Sequence, residues 1–201
     1  MEIVTKAILL SGGMDSASIA YWHRPSYAIT IDYGQRPAAG EVRAARAICE
    51  SLGIEHVLIE ANIAALGSGD MAGTEPSSAA PATEWWPYRN QFLITVAAMK
   101  CHALGVTELM IGALKTDGFH VDSTPSFYAH MNQLLDMQEG RLTISTPALS
   151  LTAEELVKKS AAPEEILAWT HSCHISDIAC GFCRGCQKHF ETTGNVFGRS
   201  Y

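Results

Sequence analysis

No run of about 18 consecutive apolar residues occurs in the chain, so no segment reads as a membrane-spanning helix. Basic residues are scarce: 14 Lys and Arg stand against 21 Asp and Glu, a formal net charge of −7. Proteins that grip nucleic acid neutralise phosphates with Lys and Arg, so this balance argues for a small-molecule ligand and against a tRNA substrate. The densest basic stretch is Arg24, Arg36, Arg43 and Arg46; the last two fall at helical spacing and read as a solvated face. The opening Met1-Glu2-Ile3-Val4-Thr5-Lys6 lacks the basic-then-apolar layout of a secretory signal. There is no internal repeat. These absences predict a cytoplasmic protein acting on a small molecule.

What is present is a chain of 201 residues, 47% hydrophobic, enough to bury a substantial core as one domain spanning 1–201. Strand-like and helix-like patterns alternate. Strands are predicted at 6–10, 26–32, 54–60 (read as buried) and 108–113. Helices are predicted at 17–22, at 41–52 closed by Gly53, and at 89–104 closed by Gly105. Two more follow, from Thr124-Pro125 to about 139 and from a capping box at Thr152-Ala153-Glu154-Glu155. Repeated strand–helix–strand units imply an α/β fold with a doubly wound parallel sheet. Right-handed crossovers bring the ends of the first and fourth strands to a switch point where ligands bind. The aperiodic stretch 67–87, rich in Ser, Ala, Gly and Pro, is expected to form a lid over that crevice.

The first strand runs into Ser11-Gly12-Gly13-Met14-Asp15-Ser16 at a strand-to-helix turn. Such a turn presents successive backbone N–H groups, with the positive end of a helix behind them, to an oxyanion such as pyrophosphate. Its spacing is neither Gly-x-x-x-x-Gly-Lys-Ser/Thr nor Gly-x-Gly-x-x-Gly, which excludes the usual nucleotide P-loop and the dinucleotide fingerprint. It resembles the Ser-Gly-Gly-x-Asp-Ser signature of the PP-loop ATP pyrophosphatases, which cleave ATP between the α and β phosphates.

Four of the six cysteines, Cys173, Cys180, Cys183 and Cys186, fall within fourteen residues, spaced x6, x2 and x2 (segment 170–190). In a cytoplasmic protein such a cluster reads as metal ligation, and four soft thiolates suit structural Zn²⁺; an iron–sulfur cluster is the alternative. His171, His174 and His189 are near enough to replace one cysteine. Cys49 and Cys101 lie within apolar helical patterns and read as small core residues.

Taken with Asp32-Tyr33-Gly34-Gln35-Arg36, Arg89-Asn90, Thr116-Asp117, Asp122 before a proline-led helix and Ser172-Cys173, these features make the chain resemble QueC, the 7-cyano-7-deazaguanine synthase family, over nearly its whole length. The resemblance implies an adenine-nucleotide α-hydrolase-like fold, Mg²⁺ with ATP, Zn²⁺ and a homodimer. It also implies the ATP-driven conversion of 7-carboxy-7-deazaguanine, through an acyl-adenylate and an amide formed from ammonia, to the nitrile. That route needs no protein nucleophile. Ser11, Gly12, Gly13, Asp15 and Ser16 would hold pyrophosphate, with Asp15 reaching Mg²⁺ through water. Asp32 and Tyr33 would face the adenosine, Arg89 and Asn90 would contact nucleotide or substrate, and Lys158 would reach phosphate. Asp117 and Asp122 would meet the donor edge of a guanine-like base or transfer a proton.

The chain departs from the family pattern in several places. Asp122-Ser123-Thr124 lacks the usual arginine, Pro37 replaces a histidine, the first cysteine gap is short, and the loop at Gly118-Phe119-His120 is altered. Loss of that arginine weakens any bidentate grip on a carboxylate. Such changes also fit QueC-like proteins of anti-phage, CBASS-type systems, which join a deazaguanine to a protein or peptide amine. The competing readings are a tRNA-modifying PP-loop enzyme and a non-catalytic, zinc-stabilised nucleotide-binding partner.

Overall fold

Strands buried on both faces build the centre of the sheet. The computed structural model describes residues 4–199; residues 1–3, part of the stretch inspected for a targeting signal, lie outside the described residues. Strands β1 (Lys6–Leu9), β2 (Tyr27–Asp32), β3 (Glu55–Glu60), β4 (Glu108–Met110) and β5 (Thr143–Ser145) form one sheet in the order β3-β2-β1-β4-β5. Every pairing is parallel. Strands covered on both faces read as nearly continuous apolar runs, as β1 and β2 do. Ile8, Leu10 and Met110 point to one face, and Ala7, Ile29 and Leu109 to the other.

Helices α1 (Met14–His23), α2 (Ala38–Leu52) and α5 (Ala153–Ser160) cover the first face; α3 (Arg89–Leu104) and α4 (Pro125–Asp136) cover the second. The short α6 (Glu164–Leu167) and α7 (Arg184–Phe197) complete the chain. Cys49 and Cys101 are core residues, one in each apolar cluster. The predicted ends hold well. Gly53 and Gly105 close α2 and α3 with φ near +65°, which glycine adopts without the Cβ penalty. Thr124 accepts from the Phe127 N–H at 3.2 Å, and Thr152 and Glu155 exchange a capping box.

Three readings need correction. The 54–60 strand is not buried: it is an edge strand, so Glu55, Leu58 and Glu60 meet solvent. The fourth strand ends at Met110, not at 113, because Gly112 passes directly over Ser16 at the start of α1. Helix α4 stops at Asp136, short of 139, as the chain turns through Gly140 (φ +99°). The short β5 and the helix α7 are not among the predicted elements. Among the described residues no helix is long and apolar enough to cross a membrane.

The order 3-2-1-4-5 puts the reversal of strand order between β1 and β4, and the Ser11–Ser16 turn follows β1 at that point. Leu109, fully buried in β4, carries this junction. Leu109→Ala is expected to lower unfolding stability by roughly 2–5 kcal/mol in a urea titration, whereas exposed Met99→Ala should change it by less than about 0.5 kcal/mol.

Candidate active site

The turn after β1 forms a nest. Gly12 has φ +79°, and a Cβ there would lie 2.5 Å from the Glu41 carbonyl oxygen, so only glycine lets the loop press against α2. Gly13 is the N-cap of α1 and supplies no side-chain cap, which leaves the first-turn amides of Met14, Asp15 and Ser16 for an anion. The Ser16 hydroxyl donates to the Gly13 carbonyl at 3.1 Å and lies 3.4 Å from the Ser11 hydroxyl. Both serines therefore brace the loop that presents the amides.

In front of the nest lies a cleft of about 640 Å³, lined by Ser11, Gly13, Asp15, Tyr33, Arg89, Asn90 and Asp117 among others. A side lobe of about 180 Å³ adds Ser16. Across the cleft, Lys188 of α7 pairs with Asp15 at 2.8 Å. Burial pulls the Lys188 ammonium down, but the carboxylates of Asp15 and Asp117 outweigh it, and the group stays above its ordinary value. The nest thus faces a cation that is charged at neutral pH.

The other residues named from sequence divide into two groups. Tyr33 is buried, lines the cleft and stacks edge-on against Trp86; burial raises its hydroxyl, so it stays protonated. Arg89 stands near Tyr33, and the charges of Asp122 and Glu41 also act on it. Asn90 donates to the Asp122 carbonyl at 3.0 Å and the Ser123 hydroxyl at 3.1 Å, clamping the start of α3 to the 121–123 turn. Asp117 lines the cleft while one oxygen accepts from the Leu114 N–H at 2.9 Å.

Three named carboxylates and cations stand elsewhere. Asp32 closes its own turn, accepting from the Gly34 N–H at 3.0 Å, and does not line the cleft. Asp122 faces the Asn90 N–H, outside the cleft lining. Lys158 is exposed on α5, and the lysine beside the nest is Lys188, two residues past the last clustered cysteine. Gly12 backs the nest from behind and does not line the cleft.

Residues that sequence reasoning missed also line the cleft: Glu41, Glu84, Arg184 and Lys188. Gln35 is buried; its side-chain oxygen accepts from the Tyr33 N–H at 2.8 Å and its amide donates to Glu41 at 2.8 Å. Burial pushes the Glu41 carboxyl up to about 7 against that hydrogen bond and the charge of Arg89. The 67–87 segment borders the cleft through Met71 and Glu84, while Trp86 anchors it in the core.

The four cysteines of the C-terminal segment converge, their Sγ atoms all within 4.8 Å of one another. Two pairs stand 3.9 Å apart, close to the about 3.8 Å that tetrahedral 2.3 Å Zn–S bonds require. Backbone N–H groups of His174, Cys183 and Cys186 point at cysteine sulfurs, which favours thiolates. The cluster therefore fits one zinc ion; a multi-iron cluster would spread its thiolates over separate metals. No histidine is needed: His171 meets the Ser176 carbonyl and His189 the Ser172 hydroxyl. The same segment reaches the nest, with the His171 N–H donating to the Gly12 carbonyl at 2.9 Å.

The parallel sheet with an anion nest at its switch point has the form of a PP-loop nucleotide-binding protein. Residues 5–194 match the family described as queuosine biosynthesis protein QueC, and the chain belongs to that family. The 7-cyano-7-deazaguanine synthase of Methylococcus capsulatus is 31% identical, covering 93% of this chain and 94% of that protein. The enzyme of that name from Koribacter versatilis is 32% identical (94% and 90% covered), and that from Methanocaldococcus jannaschii is 30% identical (91% and 92%).

Two measurements follow. Metal analysis of the purified chain should find one zinc, and Cys183→Ser should lose it and expose the C-terminal segment to limited proteolysis. The folded-state value of Glu41 lies above its ordinary 4.5, so its contribution to stability is present at acid pH and lost as pH rises through about 7. Glu41→Gln should remove that loss, at most about 3 kcal/mol, from denaturation curves recorded between about pH 5 and 8.

Proposed function

We propose that the chain activates the carboxylate of 7-carboxy-7-deazaguanine with ATP and converts it, through the amide, to the nitrile 7-cyano-7-deazaguanine. The observation that carries this reading is the uncapped start of α1 facing Lys188 across the cleft, in a member of the QueC family. The substrate carboxylate attacks the α-phosphorus, the bond to the bridging oxygen breaks, and pyrophosphate leaves as an acyl-adenylate forms. Ammonia displaces AMP and gives the amide. A second ATP adenylates the amide oxygen, and loss of AMP and a proton leaves the nitrile.

The residues need only align groups and disperse charge. Amides of the first turn of α1 receive the β and γ phosphates, and Lys188 leaves Asp15 to neutralise the departing pyrophosphate. Mg²⁺ accompanying the triphosphate would find Asp15 and Asp117 at that end, close enough to influence each other's charge. Tyr33 and the apolar ends of β1 and β2 border the space open to the adenosine. Arg89 is the cation for the substrate carboxylate, since Thr124, where the family usually has arginine, is committed to capping α4.

A second reading keeps the adenylation and exchanges ammonia for a protein or peptide amine. It is favoured by that missing arginine and by the altered 118–120 loop, whose Phe119 is exposed at the cleft.

Mass spectrometry of reactions containing ATP, 7-carboxy-7-deazaguanine and either ammonia or candidate peptides separates the two: a nitrile supports the first, a mass-shifted peptide the second. Pyrophosphate release without either product would count against both. Lys188→Ala should slow pyrophosphate release by about 100-fold or more with fold and zinc intact, as expected for loss of one charge-stabilising group. Lys158→Ala should leave it within about twofold.

A further inference from the structure

Recognition of a guanine-like base calls for a carboxylate with a free oxygen shielded from water. Asp117, Asp15, Glu41 and Glu154 each engage one oxygen, with the Leu114 N–H, Lys188, Gln35 and Asn195, and among the described residues none of them leaves the other oxygen both buried and unpartnered. Glu191 is exposed. Glu84 differs. It is 8% exposed, borders the cleft, and its Oε1 accepts from Arg184 Nη1 at 2.7 Å. Its Oε2 is buried without a partner among the described residues. A buried charged oxygen left without a donor is costly, more so than a neutral one.

A second orphan stands beside it. His174 Nδ1 is also buried without a partner, and the residue lines the cleft. The opposite edge of its ring lies against Gly185, where a Cβ would come within 2.7 Å of Nε2. Gly185 follows Arg184, so the side chains of Glu84 and His174 both pack against the start of α7. Arg184 is itself fixed, its guanidinium 4.6 Å above the Phe119 ring.

Resting on the reading of the substrate as a 7-deazaguanine, we propose that Glu84 is its specificity-determining residue, accepting hydrogen bonds from the N1–H and 2-amino edge. Guanine-type bases place two donors side by side with a carbonyl oxygen next to them. The carboxylate matches the donors, and His174 Nδ1 is available to the carbonyl. Glu84 belongs to the 67–87 segment, so a shift of that segment turns Oε2 toward a base in the cleft. A base lacking the 2-amino group leaves the carboxylate half-served. An adenine-type base sets a ring lone pair against it, so the site also keeps ATP's own base out of the substrate position.

Calorimetry on the zinc-loaded chain tests this with two ligands, 7-carboxy-7-deazaguanine and its analogue without the 2-amino group. The wild type should prefer the guanine-type acid by about 100-fold or more, because a site built to receive a donor rejects the analogue lacking it. Glu84→Gln should bring that ratio to within about threefold while ATP affinity is unchanged. Arg184→Met, which removes the ion pair but keeps the carboxylate, should retain a clear preference. A wild-type ratio in Glu84→Gln overturns the proposal and leaves the substrate reading standing. Equal collapse in Arg184→Met shows that Glu84 only anchors the segment, and also overturns it. If the wild type binds neither acid, the substrate reading falls and this assignment falls with it.

Discussion

One contact joins the two ends of the chain: the His171 N–H on the Gly12 carbonyl, backed by Lys188 on Asp15. The nest after β1 is a row of backbone amides, which attract an anion. The cation that faces it comes from α7, more than 170 residues later in sequence. What holds α7 there is the four-cysteine knuckle, seconded by Asp177, which accepts from the Gly40 N–H at 3.1 Å and from Arg43 at 2.6 Å. A metal held by the four cysteines would add its binding energy to the ordering of this segment, which forms one wall of the cleft.

Charge is distributed to the same end. The chain carries a net −7, yet Arg89, Arg184 and Lys188 are gathered around one cleft. A concave, partly dry site strengthens each of these charges relative to bulk water. These cations are interleaved with six carboxylates, those of Asp15, Glu41, Glu84, Asp117, Glu154 and Glu191, so the cleft offers charge of both signs to a small ligand.

Much of the architecture was legible in the sequence. Parallel strands buried on both faces leave apolar runs, and glycine or Thr-x-x-Glu marks the helix ends, so β1, β2, α2, α3, α4 and α5 could be placed from pattern alone. Strand β3 misled because its apolar Val57 and Ile59 pack on one side only, and a run does not reveal whether a strand is central or at an edge. Helix α7 was not placed from pattern, although its Val196 and Phe197 pack on the first core and Phe190 against the cysteines, because the cysteine spacing at its start reads first as a metal cluster. At the site, the nest was readable, since its residues are contiguous. Lys188 was not, since its nearness to Asp15 comes from folding; Lys158 was named only through the family resemblance. Asp32 and Asp122 looked like ligand groups, but short polar side chains next to turns satisfy the backbone first.

The sequence by itself determined what is local: a glycine-rich anion nest between a strand and a helix, a set of four soft metal ligands, and the alternation that yields a parallel sheet. These depend on neighbours a few residues apart, where spacing and chemistry are visible in one dimension. Only the tertiary structure decided which lysine faces the nest, which aspartates are spent on turns, and that Glu84 is left with an unpartnered oxygen at the cleft. Those outcomes depend on which buried polar groups find partners, and partners are assigned by the packing of distant segments.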